Sequence, residues 1–261
     1  MSSLAIAGLV FACVFASALL AMLVGRALPP SHLSGESKDV VKLGLGVVAT
    51  LTALVLGLLI ASAKGTYDTQ SNSIKQLSAN VMLLDRLLAR YGPETKEERE
   101  LLRRAVTIIL GTLWPDDGEK ATLTPGAAMA DMEAFYDKLG ALAPKTDAQR
   151  AIKSRALDLT TELAQTRLRL AAQKDSSIPL PFLVVLVFWL VVLFGGYGLM
   201  APRNPTVVAV LIVCALSISA ALFLILELDR PFDGIVRVPS APVRDALTLI
   251  GKYYPGPKDH R

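Results

Sequence analysis

Histidine and cysteine are almost missing from this chain of 261 residues, which holds two of each. His32 and His260 both lie outside the apolar stretches, so no common metal-ligand set and no Ser/His/Asp arrangement can be assembled. Cys13 and Cys214 both sit inside apolar stretches, which leaves no disulfide framework for the polar part and suits a cytoplasmic setting for it. Titratable groups converge nowhere along the sequence, which argues against an enzyme and implies no cofactor. Lys and Arg alternate with Asp and Glu instead of forming a basic stripe, so the net charge of +4 is not the footprint of a nucleic-acid binder. The last absence is the most telling: no apolar run carries an ionisable residue in its middle. Pumps and proton-coupled transporters usually need such a group, whereas a channel with an apolar barrier, or a protein that conducts nothing, does not.

Hydrophobic residues make up 52% of the chain and the mean hydropathy is +0.48, well above the usual soluble mixture. The excess is concentrated in four charge-free runs, and a bilayer is the solvent that accepts such runs. The first, Leu4 to Gly25, holds about 22 uncharged residues, enough to cross a hydrocarbon core at 1.5 Å per residue. Ser2 and Ser3 supply none of the basic charge that a cleaved signal peptide wants at its start. A polar linker from Arg26 to Lys42, broken by Pro29 and Pro30, leads to the second run, Leu43 to Ala63, which Lys42 and Lys64 bracket. Pro179 and Pro181 open the third run, which lasts to about Ala201. The turn Pro202-Arg203-Asn204-Pro205 then joins it to the fourth, Thr206 to Leu226, as an antiparallel hairpin.

Between the second and third runs the period changes. Ile74, Leu77, Val81, Leu84 and Leu88 recur at three and four residues, which predicts an amphipathic helix ending at Tyr91-Gly92-Pro93. Thr95 followed by Glu98 is a capping-box signature for a second helix running to about Trp114, where Pro115 stops it. Asp116-Asp117-Gly118 starts a loop. Further helices fit Ala127 to Leu142 and a stretch from near Thr146 that aligns Ile152, Ala156, Leu159, Leu163 and Leu170. The fold expected is all-α: a transmembrane helix pair in 1–63, a cytoplasmic helical-bundle insert in 64–178, a second transmembrane pair in 179–226 and a cytoplasmic tail in 227–261.

The positive-inside rule orients it. Arg26, Lys38, Lys42 and Arg203 lie on one side of the spans; Lys64, Lys75, Arg167, Arg169, Lys174, Arg230, Arg237 and Arg244 lie on the other. The larger group places both termini and the insert in the cytoplasm of a bacterium, with the chain multi-pass in the inner membrane.

Three motifs bear on function. Gly195-Gly196-Tyr197-Gly198 contains the triplet of a potassium filter, but it ends a span and has no pore helix or re-entrant loop, so the expectation is that its glycines let the third and fourth helices approach closely. Gly46, Ala49, Ala53, Gly57 and Ala61 form a row of small residues along the second span, which lets helices meet backbone to backbone, either within one subunit or around a symmetry axis. On or beside that row stand Val47, Thr50, Leu54 and Leu58. Facing a central pore, they would form an apolar constriction that gates by dewetting, with Thr50 as its sole hydroxyl. After the fourth span come Glu227, Asp229, Arg230, Pro231, Phe232 and Asp233. Three carboxylates there could attract calcium, though they are too few ligands for it unaided; alternatively Arg230 pairs with a carboxylate, Pro231 turns the chain and Phe232 anchors it at the interface.

Taken together, Val41-Lys42-Leu43-Gly44-Leu45-Gly46 through Ala61-Ser62-Ala63-Lys64, the turn Ala201-Pro202-Arg203-Asn204, and Glu227 to Gly234 followed by Pro239-Ser240-Ala241-Pro242-Val243-Arg244 resemble a bacterial family of four-span proteins labelled bestrophin-like. The resemblance covers nearly the whole chain. True bestrophins are pentameric anion channels with four membrane helices and both termini in the cytoplasm, and a Pro-Phe-Gly sequence follows their last span. Here Pro231-Phe232 matches and Asp233 precedes Gly234, while the acidic run of calcium-gated members and the aromatic-rich neck are missing. The resemblance implies a homo-oligomer, a pentamer by analogy, passing small ions through the bilayer with the second span nearest the axis. The other reading is a non-conducting membrane scaffold or sensor whose insert binds a cytoplasmic partner.

Overall fold

Helices account for nearly all of the regular structure in the computed structural model, which describes residues 2–27, 35–115, 125–172, 178, 180–202, 204–232 and 234–250. In chain order they are α1 (Ser3–Ala27), α2 (Gly35–Tyr91), α3 (Lys96–Leu113), α4 (Pro125–Ala141), α5 (Asp147–Ala172), α6 (Leu180–Met200), α7 (Pro205–Leu228) and α8 (Ala241–Leu249). A short 3-10 turn, Pro93–Thr95, precedes α3. Four of these, α1, α2, α6 and α7, contain stretches long and apolar enough to cross a membrane. The chain divides into two compact units, one made of Met1–Tyr67 with Ser176–Arg237 and the other of Asp68–Asp175 with Val238–Arg261.

The expected polar linker is shorter than Arg26 to Lys42, because α2 already begins at Gly35. Local charge accounts for the early start: Glu36 lies in the first turn, where the helix dipole favours an acid, and Lys42 Nζ stands 3.0 Å from the Asp39 carboxylate one turn back. Pro29 and Pro30 lie outside the described residues, as do Asp116-Asp117-Gly118 and Pro179. Asn204 starts α7 by accepting the Val207 N–H at 2.8 Å, with Pro205 at the first helical position, where a missing N–H costs nothing.

In the first unit α1 packs against both α6 and α7. Val14, Ala18, Leu186, Leu190, Ala215 and Leu222 are among its most deeply buried side chains. The Ser17 hydroxyl lies 2.7 Å from the Val14 carbonyl of its own helix and 3.1 Å from the Val191 carbonyl of α6. The closest approach is at Gly198, where an added Cβ would overlap the Ala18 carbonyl, with a second at Gly25 against the Leu199 carbonyl. This corrects the role expected for the Gly195–Gly198 tetrapeptide. Its glycines serve α1 and α2, since a Cβ at Gly196 would strike Leu45 of α2, while Gly195 faces open space. Sequence alone shows that small residues permit close approach; it does not show which neighbour arrives.

In the second unit Ile74, Leu77, Val81, Leu84 and Leu88 of α2 are all buried, as their spacing predicts. Ala156, Leu159, Leu163 and Leu170 of α5 are buried with them, and Ile152 is half-buried. Gly92 turns the chain out of α2 at a φ of +143°, a conformation that L side chains rarely adopt. The expected capping box between Thr95 and Glu98 does not form. Because Pro93–Thr95 makes a 3-10 turn, the Thr95 hydroxyl points back to the end of α2, 2.6 Å from the Leu88 carbonyl and 2.9 Å from the Gly92 carbonyl, instead of serving a donor at the start of α3. Burial, helped by the Glu94 and Glu98 carboxylates, pushes the Tyr91 hydroxyl above its ordinary titration range. Asp85, 3% exposed, holds Arg99 through two bonds of 2.7 and 3.0 Å, a paired charge that a buried position tolerates. Trp114 donates its indole N–H to the Val238 carbonyl at 2.8 Å and α8 packs on α3.

The α1–α6 contact yields a paired expectation. Gly198→Ala forces a methyl into the Ala18 backbone and should destabilise the protein by about 1–3 kcal/mol, the usual cost of overpacking. Gly195→Ala, with free space, should be neutral or stabilising by up to about 1 kcal/mol through helix propensity. Thermal unfolding in detergent measures both, and equal midpoints for the two variants would refute the contact.

Candidate functional site

The second helix has two faces in the first unit, and they differ in what they meet. Leu45, Thr52, Leu59 and Ala63 are buried, and Val48, Ala49, Val55 and Leu56 pack against the same core. The Thr52 hydroxyl is satisfied within its helix by the Val48 carbonyl at 2.7 Å. The opposite face is open. Val47, Leu54 and Leu58 are 62%, 66% and 64% exposed, and Thr50 stands exposed among them. These four positions are three or four residues apart, so they fall on one stripe. The Thr50 hydroxyl donates to the Gly46 carbonyl at 3.0 Å, which leaves an oxygen with acceptor capacity on an otherwise apolar surface.

Four members of the small-residue row, Gly46, Ala53, Gly57 and Ala61, lie on this outward side; Ala49 alone is half-buried against the core. A Cβ placed on Gly46 or Gly57 would meet nothing within 4 Å. Among the described residues, Gly46 and Gly57 therefore meet no neighbouring helix. Only 17% of the most apolar stretch of α2 is buried, against 28% for each of α1, α6 and α7. A helix with its small side chains turned outward and its backbone accessible is suited to meeting another helix there.

At the end of α7 the sequence motif closes on itself. Glu227 is 4% exposed, and its carboxylate accepts from the Ile235 N–H, from the Val236 N–H at 3.2 Å and from the Ser3 hydroxyl. Gly234 makes this possible in two ways: its φ is +94°, and a side chain on it would overlap the Glu227 carboxylate. The chain thus turns back over Glu227 and ties the start of α1 to the segment after α7. Asp229 and Pro231 are buried, Phe232 is half-buried and Arg230 is exposed, while Asp233 lies outside the described residues. Among the described residues no three His, Cys, Asp or Glu side chains gather as metal ligands. The sequence marked this stretch as dense but did not identify the partners of Glu227, because two of them are backbone N–H groups eight and nine residues on, which carry no side-chain signature.

Residues 12–243 match the family model described as a bestrophin-like domain. Crystal structures of a bacterial bestrophin homologue from Klebsiella pneumoniae share the fold. One, carrying a tryptophan-to-alanine substitution, aligns with a TM-score of 0.71 at 13% identity over 96% of this chain and 97% of that one. Another from the same organism, phased on zinc, aligns with a TM-score of 0.62 at 15% identity over 91% and 98%. At these identities the likeness is one of fold. No curated protein matches the sequence.

The Glu227 arrangement yields the next expectation. Glu227→Ala strips partners from two backbone donors and should cost about 1–3 kcal/mol, whereas Glu227→Gln keeps an acceptor and should cost less. Thermal midpoints of the two purified variants check this order. A glutamine variant as unstable as the alanine variant would show that the charge, not the acceptor, holds the turn.

Proposed function

The chain belongs to the bestrophin-like family, and we propose that it assembles into a homo-oligomeric ion channel of the bacterial inner membrane, with the stripe Val47, Thr50, Leu54 and Leu58 bordering the pore. One observation carries this reading: the second helix buries one face in its own bundle and leaves the other, with its small residues, uncovered. Copies meeting around an axis through Gly46, Ala53, Gly57 and Ala61 would cover that face and bring the Leu54 and Leu58 side chains into rings. Rings of this kind hold back ions by excluding water, and conduction begins when they wet. The likeness to bestrophins favours a pentamer that passes anions, with α1, α2, α6 and α7 as its four spans.

Both termini and the second unit face the cytoplasm in this reading, on the positive-inside count. Reporter fusions after the C-terminus and within the insert should be active only on the cytoplasmic side; a cysteine placed in the insert and labelled from the periplasm of intact cells would reverse the orientation.

Conduction is tested at Leu54. Because this side chain is 66% exposed within the chain, Leu54→Ser leaves the subunit core intact while it hydrates the proposed ring. Ion flux through liposomes should rise, with little change in ion preference, since no fixed charge is altered. If wild type and variant assemble equally well and neither passes chloride or potassium, the protein is a membrane scaffold instead.

A further inference from the structure

Helix α2 runs without a break from Gly35 to Tyr91 and contributes to both units. Its covered face keeps one register along that length: Leu45, Leu59, Ile74, Leu84 and Leu88 are all buried. The open face keeps its register too. Continued in steps of three and four residues, the stripe of Val47, Thr50, Leu54 and Leu58 reaches Asp68, Lys75, Arg86 and Arg90, and every position on that line is exposed. The chemistry changes on the way. As far as Gly65 the line holds apolar or small residues and one hydroxyl; from Asp68 onward it carries charge.

Beyond Asp68 the exposed charges of α2 have one sign. The only later carboxylate on the helix is Asp85, which is buried and held by Arg99. Lys75 and Arg90 are separated by fifteen residue steps, or about 22 Å at 1.5 Å per residue, with Arg86 between them. Elsewhere in the second unit exposed cations come with anions: Arg103 pairs with Glu100, Lys138 with Glu97 and Arg150 with Asp147. Among the described residues no carboxylate is paired with Lys75 or Arg90. Solubility alone does not require such a segregated strip, since mixed signs serve it as well.

The inference drawn from this strip rests on the channel reading. A helix whose open face borders the pore at Leu54 and Leu58 turns the same face to the cytoplasmic approach, where each subunit then sets Lys and Arg along the ion path. Rings of such side chains concentrate anions and repel cations. We propose that Lys75 and Arg90 give the channel its preference for anions, while the apolar rings at Leu54 and Leu58 form its barrier. Asp68 offsets part of the positive charge of the line and leaves it in surplus.

Reversal potentials of the full chain in planar bilayers under a salt gradient measure the chloride-to-potassium permeability ratio. Lys75→Glu combined with Arg90→Glu should lower that ratio several-fold. The neutral pair, Lys75→Gln with Arg90→Gln, should lower it less, and it keeps the test open should the reversed pair assemble poorly. Lys75→Arg with Arg90→Lys retains both charges and should retain the ratio. So should Arg169→Glu, a reversal on the exposed surface of α5. The Debye length falls from about 10 Å at 0.1 M salt to about 3 Å at 1 M, so the wild-type preference should weaken over that range. A conducting protein whose ratio is unmoved by either substituted pair overturns the role of Lys75 and Arg90 and leaves the pore standing, as does a wild type that prefers potassium. An equal shift from Arg169→Glu also overturns it, because total charge would then be the cause. Assembled wild type that passes no ions overturns the channel reading and this inference with it.

Discussion

Apolar helices gain little by leaving a lipid solvent, so what holds them together is how closely their backbones meet. In this chain that contact is the crossing of α1 on α6, where Gly198 lies against the Ala18 carbonyl and Ser17 reaches the Val191 carbonyl. The remaining packing in the first unit follows from it. α7 packs on the same helix, with Ala215 and Leu222 buried in the shared core, and Gly196 admits Leu45 of α2. Leucine in place of these small residues would hold the helices apart and dissolve the core that they share.

That arrangement leaves α2 with one face occupied and one face spare. A helix surrounded by lipid on its outer side can present any apolar residue there, so Val47, Leu54 and Leu58 by themselves would mean little. The glycines and alanines beside them carry more weight. Small residues expose polar backbone and forgo packing area, and among the described residues Gly46 and Gly57 meet no neighbour that would need the space. The end of α7 shows the opposite economy at Glu227 and Gly234. Glu227 occupies its carboxylate with backbone N–H groups, and Gly234 supplies both the backbone conformation and the space for them.

The second unit is held by different physics. Its helices bury the 3–4 stripe from Ile74 to Leu88 on α2 and Leu159 and Leu163 on α5, as ordinary amphipathic helices do in water. Two of the polar groups inside it show how burial is tolerated: Asp85 pairs with Arg99, and Thr95 closes a helix end. The helices were legible here because period encodes burial. The capping box was misread because Thr95 and Glu98 satisfy the pattern of one helix start while the 3-10 turn makes Thr95 the end of another.

By itself the sequence determined the helical content, the four apolar runs, the amphipathic insert, the stop at Gly92 and the family, because composition, period and turn chemistry are local properties that need no partner. It also marked the residues that matter on α2, since small side chains at three- and four-residue spacing are visible in one dimension. Which way those residues face was decided by the tertiary structure alone. The uncovered Gly57, the Gly198 crossing and the fold of Gly234 over Glu227 each depend on which backbone lies alongside, and proximity between distant segments leaves no mark on a uniformly apolar helix, where every face looks equally fit to be buried.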